Sequence, residues 1–154
     1  MEERIHQNMR RQFSKRNIVL LLLICSFLLM NGCTSPQGNR ERIISAYQKN
    51  EDVFIEAVQS GNYSTVELLS IVKTVYVAKD YVDFQGKGYG LGPSTHYYGI
   101  FYSPDGDLCA VDVAGPCEEL TESGTGYQYQ ENNGDNRYYV EPLGNNFFFY
   151  ESHF

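Results

Sequence analysis

Tyr127-Gln128-Tyr129-Gln130-Glu131-Asn132-Asn133-Gly134-Asp135-Asn136-Arg137-Tyr138-Tyr139-Val140 is two alternating runs folded about an Asn-Gly pair. Asn-Gly favours the type I′ hairpin turn, because both central residues must take positive φ. The register follows: Asn132 opposes Asp135, Gln130 opposes Arg137, Tyr129 opposes Tyr138 and Tyr127 opposes Val140. Tyr127, Tyr129, Tyr138 and Val140 then share one face, the candidate core. Downstream, a three-residue loop Leu143-Gly144-Asn145 would set Phe148 against Val140 and Tyr150 against Tyr138, extending that face.

The same pleat sends Tyr139, Phe147 and Phe149 to the opposite side, among Gln128, Gln130, Arg137 and Glu141. If nothing covers them, these aromatics form a binding surface suited to stacking on sugar or peptide. If the sheet curls, or the N-terminal helix and the 86–95 loop lie over them, they are core.

Working outward, runs rich in Val, Tyr and Phe are broken by Gly, Pro, Asn and Asp at intervals near ten residues. This reads as antiparallel strands near 71–78, 80–85, 96–102, 108–113, 126–131, 137–141 and 147–151, with reversals at Ser103-Pro104-Asp105-Gly106 and Ala114-Gly115-Pro116. Before them, Ile43, Ile44, Tyr47, Phe54, Ile55 and Val58 recur at helical steps. That spacing predicts a helix over 40–60, with Asn39 as N-cap and Gly61 just past its end. Ser64-Thr65-Val66-Glu67 matches a capping box and predicts one more short helical turn. The expected fold class is α+β: one N-terminal helix packed on a curved antiparallel β-meander of five to seven strands.

The chain has 154 residues, 42% hydrophobic and 20% charged, enough for one domain with an ordinary core. Its first 32 residues carry five basic and two acidic side chains; the other 122 carry seven basic and 17 acidic, a net charge of −10. A body this acidic is repelled by phosphate backbones, so no nucleic-acid partner is expected. All 13 Tyr and seven of the nine Phe lie in it, too aromatic for a disordered segment.

A basic stretch, Arg10 to Arg16, precedes 13 uncharged residues, Ile18 to Met30. As a helix these reach ~20 Å, short of the ~30 Å hydrocarbon core, so the layout is that of a signal peptide. Leu29-Met30-Asn31-Gly32-Cys33 follows and resembles the lipobox of bacterial lipoproteins. Met30 stands where Leu is commonest, and Asn31 where Ala, Ser or Thr is usual. The resemblance implies diacylglycerol on the Cys33 thiol, cleavage before Cys33, and acyl chains of the palmitate type holding the body to the membrane. The rival is an uncleaved, slightly short membrane anchor with an incidental cysteine. Both place the body on the extracytoplasmic side of the cell membrane. The expected organisation is a leader over 1–32, a lipidated tether over 33–39 and an extracytoplasmic domain over 40–154.

On that resemblance Cys25 would leave with the leader and Cys33 would carry lipid, so Cys109 and Cys117 would be the thiols left outside the reducing cytosol. They either bridge, or Cys109 is a small core residue alternating with Val111 and Val113. Gly86-Lys87-Gly88-Tyr89-Gly90-Leu91-Gly92 lacks the ending of a phosphate loop and the spacing of a dinucleotide fingerprint. It reads as a wide connection between strands, or as a loop whose bare backbone and Tyr89 approach a ligand.

His96 and His153, the histidines of the mature body, do not supply a metal site by spacing; His96 reads as capping a strand. Asp80, Asp83, Asp105, Asp107, Asp112, Glu118, Glu119 and Glu122 offer carboxylates, most of them beside turns, and Ser94 and Ser103 lack a nucleophile elbow. No catalytic residue, metal or cofactor is expected, and the chain is read as a non-enzyme.

The segments Tyr97-Tyr98-Gly99-Ile100-Phe101-Tyr102-Ser103-Pro104-Asp105, Asp135 to Tyr139 and Phe148 to Phe154 look like small uncharacterised lipoproteins of Gram-positive bacteria. That resemblance implies an address and no reaction. The functional expectation is a lipid-anchored binding or accessory domain whose partner beyond the membrane is a protein or cell-wall glycan. The alternative is an inhibitor or immunity-type lipoprotein, acidic so as to neutralise a basic toxin or hydrolase.

Overall fold

The computed structural model describes residues 36–154 apart from 87, 92, 93 and 112–116, so the leader, the lipobox and Cys33 lie outside the described residues. The chain divides into two compact units, Met1–Gln37 and Gly38–Phe154, and the second holds the sheet. No helix among the described residues is long and apolar enough to cross a membrane.

The helical stretch begins earlier than expected and breaks once, giving α1 (Pro36–Lys49) and α2 (Glu51–Ser60). Asn39 is therefore not an N-cap; it is buried within α1. The break sits at Asn50, whose side-chain amide donates to the Ala46 carbonyl at 2.8 Å and whose backbone N–H donates to Tyr47 at 2.8 Å. A short polar side chain that bonds to nearby backbone competes with the helical ladder in this way. Gly61 ends α2 as expected, in the left-handed region at φ 70°, with its N–H on the Ala57 carbonyl. The further turn, Val66–Leu68, is present without a side-chain cap bond; Ser64 bonds Asn62 instead.

The strands are β1 (Thr74–Val77), β2 (Val82–Gln85), β3 (Tyr89–Leu91), β4 (Ser94–Tyr102), β5 (Thr121–Ser123), β6 (Gly126–Gln130), β7 (Arg137–Gly144) and β8 (Phe147–His153). The fold is α+β with an antiparallel sheet in the order β1-β2-β4-β8-β7-β6-β5, and β3 pairs with β4. The expected curved meander is corrected on two points. The sheet is not strongly curved, and the last strand is inserted at its centre, between β4 and β7. The segment 108–113 is not the expected strand over its described part. There the Cys109 N–H is held by the Asp107 carboxylate at 2.9 Å and the Asp107 N–H by the Ser103 hydroxyl at 3.1 Å, which closes a turn. Sequence reasoning missed β3 and β5. β3 turns part of the glycine run into a hairpin, with Tyr89 opposite His96 and Leu91 opposite Ser94.

The β6–β7 pairing matches its expected register: Tyr127 opposite Val140, Tyr129 opposite Tyr138 and Gln130 opposite Arg137. Its turn is not type I′, because neither Asn133 nor Gly134 has positive φ. The I′ pair lies one hairpin later, at Asn145 and Asn146, with φ 50° and 62°. That turn moves β8 two residues from the expected register, so Val140 faces Tyr150 and Tyr138 faces Ser152. A shift of two leaves each side chain on its expected face.

Both faces of the sheet are covered. On one side Ile43 and Tyr47 of α1 and Phe54 and Ala57 of α2 pack on Phe84, Ile100, Phe147 and Phe149. On the other, Phe101, Tyr138, Val140, Phe148 and Tyr150 pack with Val111, against Leu108, Ala110 and Leu120. Hence Phe147, Phe148, Phe149 and Tyr150 in β8 are all buried, as a central strand between two layers requires.

Candidate functional site

The expected surface of Tyr139, Phe147 and Phe149 is not a surface. Phe147 and Phe149 are 1% and 0% exposed beneath the helices, and Tyr139 is partly buried against the same core. The helices cover this side because their apolar stripe needs an apolar partner, and β8 supplies it. Of the four residues expected to bind, Tyr89 is the one left open, 40% exposed.

Tyr89 leads to a site that only strand order assembles. Cross-strand pairing sets Tyr89 opposite His96, His96 opposite His153, His153 opposite Arg137, and Arg137 opposite Gln130. Five strands thus place five residues in one row on the helix side, near one end of the sheet. The Tyr89 ring lies flat on His96, centroids 4.5 Å apart and planes 10° apart. His96 meets His153 edge to face at 4.1 Å. The His153 Nδ1–H donates to the Asp135 carbonyl at 2.9 Å, which fixes that ring to the β6–β7 turn. His96 lies inside β4 and does not cap it.

The next row inward is Tyr98, Glu151, Tyr139 and Gln128. Glu151 Oε1 lies 3.9 Å from His96 Nδ1, a buried atom with no hydrogen-bond partner among the described residues. Burial raises the Glu151 carboxyl above the usual range, against Arg137, His153 and Arg40, which lower it. Burial also lowers the His96 imidazole, and the charges of His153 and Arg137 push the same way. His96 is therefore neutral near pH 7.

α1 adds a cation beside the inner row. Arg40 pairs with the largely buried Glu141, donates to Thr125 Oγ1 at 3.0 Å and sits 5.6 Å over the Tyr139 ring. Thr125 and Tyr139 hydroxyls donate to the same carboxylate at 2.6 and 3.2 Å. Arg42 is exposed and close enough to Tyr98 to oppose the rise that burial causes in its hydroxyl. On the other face of this end, Tyr97 and Phe154 meet edge to face at 5.9 Å, 36% and 40% exposed.

A second polar feature lies under the opposite layer. The buried Asp83 carboxylate of β2 accepts the Tyr150 hydroxyl at 3.0 and 3.2 Å. Tyr150 belongs to β8, two strands away, and crosses β4 at Gly99. A Cβ there would sit 2.7 Å from the Phe84 carbonyl and 2.9 Å from the Tyr150 ring, so glycine is what lets the ring lie across. The Tyr138 hydroxyl, also buried, has no hydrogen-bond partner among the described residues. Burial pushes the Asp83 carboxyl up to about 6, against the Tyr150 hydrogen bond.

Cys109 and Cys117 are joined in a disulfide, Cα atoms 6.0 Å apart. No group of three or more His, Cys, Asp and Glu among the described residues is placed to hold a metal ion. A crevice of about 380 Å³ runs between α2 and the β7–β8 turn, with Ile55, Val58, Tyr102 and Phe147 apolar and Gln59, Asn145 and Asn146 polar.

The histidines and Arg137 stand out weakly in sequence, because their partners are far apart along the chain. The two-residue alternation around Tyr89 and His96 was the available signal. No protein-family model, no curated protein and no solved structure matches the chain.

Proposed function

We propose that this chain is a lipoprotein anchored through Cys33 to the extracytoplasmic face of the cell membrane, carrying a non-catalytic binding or accessory domain. Its contact surface is the sheet end around Tyr89, not the Tyr139, Phe147 and Phe149 side that the helices occupy. The observation that carries this reading is the row Tyr89, His96, His153 and Arg137. An exposed ring is held flat by a half-buried one and followed by a guanidinium with no ion pair among the described residues. Aromatic rings that are open on one side and anchored on the other are common contact groups.

The test has two arms. The intact mass of the chain purified from membranes should begin at Cys33 and include a diacylglyceryl thioether; a start at Met1 with a free thiol would remove the anchor. Crosslinking in intact cells through a photoreactive group at residue 89 should give adducts that the same group at residue 145 does not. Equal labelling from both positions would remove the contact surface.

One observation favours a second reading, an inhibitor or immunity-type lipoprotein. Glu118 and Glu119, just after the disulfide, and Glu122 on the edge strand β5 are all exposed. Replacing the three with Gln would then abolish capture of a basic protein, which Tyr89→Ala would leave intact.

A further inference from the structure

We infer that the sheet end bearing Tyr89, Tyr97 and Phe154 rests on the headgroup layer of the membrane that holds the lipid anchor. This depends on the lipoprotein reading proposed for Cys33.

Three observations converge. First, this end carries exposed rings on both faces of the sheet, Tyr89 on the helix side and Tyr97 with Phe154 on the other. A partner seated on one face would meet only one set, whereas a flat layer met end-on meets both. Tyrosine and phenylalanine rings with polar neighbours settle where hydrocarbon gives way to headgroups.

Second, the described chain begins on the helix side of the sheet, where Arg40 lies 5.6 Å over the Tyr139 ring of the inner row. Asn39 is the sixth residue after Cys33, a reach of at most ~20 Å. The helical start at Pro36 makes it shorter still than a fully extended tether would be. An acyl anchor at Cys33 thus keeps the domain close to the lipid, and the exposed rings select the end that meets it.

Third, Arg42 and Arg137 are exposed here without an ion pair among the described residues, and long basic side chains reach readily to lipid phosphates. Glu131 and Asp135 also lie by the β6–β7 turn, so ring burial, not net charge, holds the surface down.

The chain contains no tryptophan, so one introduced tryptophan reports its own depth. The processed lipoprotein, reconstituted into phosphatidylcholine vesicles with brominated acyl chains, would carry Tyr97→Trp or Tyr89→Trp. Tyr76→Trp on the edge strand β1, itself 59% exposed, is the reference. Far-UV circular dichroism matching the parent shows that each variant folds.

The expected result is loss of roughly half or more of the emission at positions 97 and 89, with a blue shift, and little change at 76. Equal quenching at all three positions, or none at any while the protein floats with the vesicles, overturns the docking and leaves the anchor standing. Failure to float with vesicles, together with an unmodified Cys33, overturns the anchor and the docking with it.

Discussion

Asp83→Asn is expected to stabilise the protein at neutral pH and to do nothing useful in acid. Asp83 is buried; its hydrogen-bond partner is the Tyr150 hydroxyl, and no lysine or arginine pairs with it among the described residues. Burial raises its carboxyl from 3.8 to about 6. A folded-state value above the unfolded one means that the native protein binds the proton more tightly. The favourable contribution is complete below about pH 4 and disappears as pH rises through about 6. Two units correspond to ~3 kcal/mol, the penalty for holding the ionised group in the fold at pH 7.5.

Asparagine retains a carbonyl to accept the Tyr150 hydroxyl proton. Its amide N–H₂ also needs an acceptor, and the Tyr138 hydroxyl, without a hydrogen-bond partner among the described residues, is close enough to feel the Asp83 charge. Allowing for imperfect geometry, the gain at pH 7.5 is ~1 to 3 kcal/mol, shrinking toward zero at pH 4. Urea unfolding of both proteins in detergent, followed by circular dichroism across pH 4 to 8, reads the difference directly. A difference that does not change with pH, or one that favours Asp83 at pH 7.5, would refute the reasoning.

Three further outcomes are expected. Replacing both Cys109 and Cys117 with Ser should lower stability by ~2.5 kcal/mol and make the urea midpoint insensitive to reductant, because the bridge closes a short loop in the unfolded chain. Phe149→Ala should cost ~3 to 5 kcal/mol, whereas Tyr76→Ala should change stability by less than ~0.5 kcal/mol; comparable losses would mean that the helices do not cover the Phe149 side. The His96 ring proton followed by NMR should titrate below the ordinary histidine value, and Arg137→Gln should move that midpoint upward; no movement would show that the guanidinium does not reach the ring.

Local chemistry explains where the sequence could be read. The β6–β7 register follows from two alternating runs and a short loop, so Tyr129 meets Tyr138 whatever the turn type. Gly61 could be recognised because a helix end needs a left-handed residue. The β7–β8 register slipped by two because three adjacent residues, Gly144, Asn145 and Asn146, all adopt positive φ, and the sequence alone does not say which pair makes the turn. Parity survived the slip, so the faces were right while their environment was not.

What the chain determined by itself is the set of elements that short-range periodicity and turn residues encode: a helical segment, then strands with known inner and outer faces. Only the tertiary structure decided that β8 would enter between β4 and β7, because pairing Ile100 with Phe149 depends on contacts between segments nearly fifty residues apart. No periodicity records such a meeting; the gain comes from burying β8 on both faces at once. That choice turned an apparent aromatic surface into core and aligned Tyr89, His96, His153 and Arg137 across four strands.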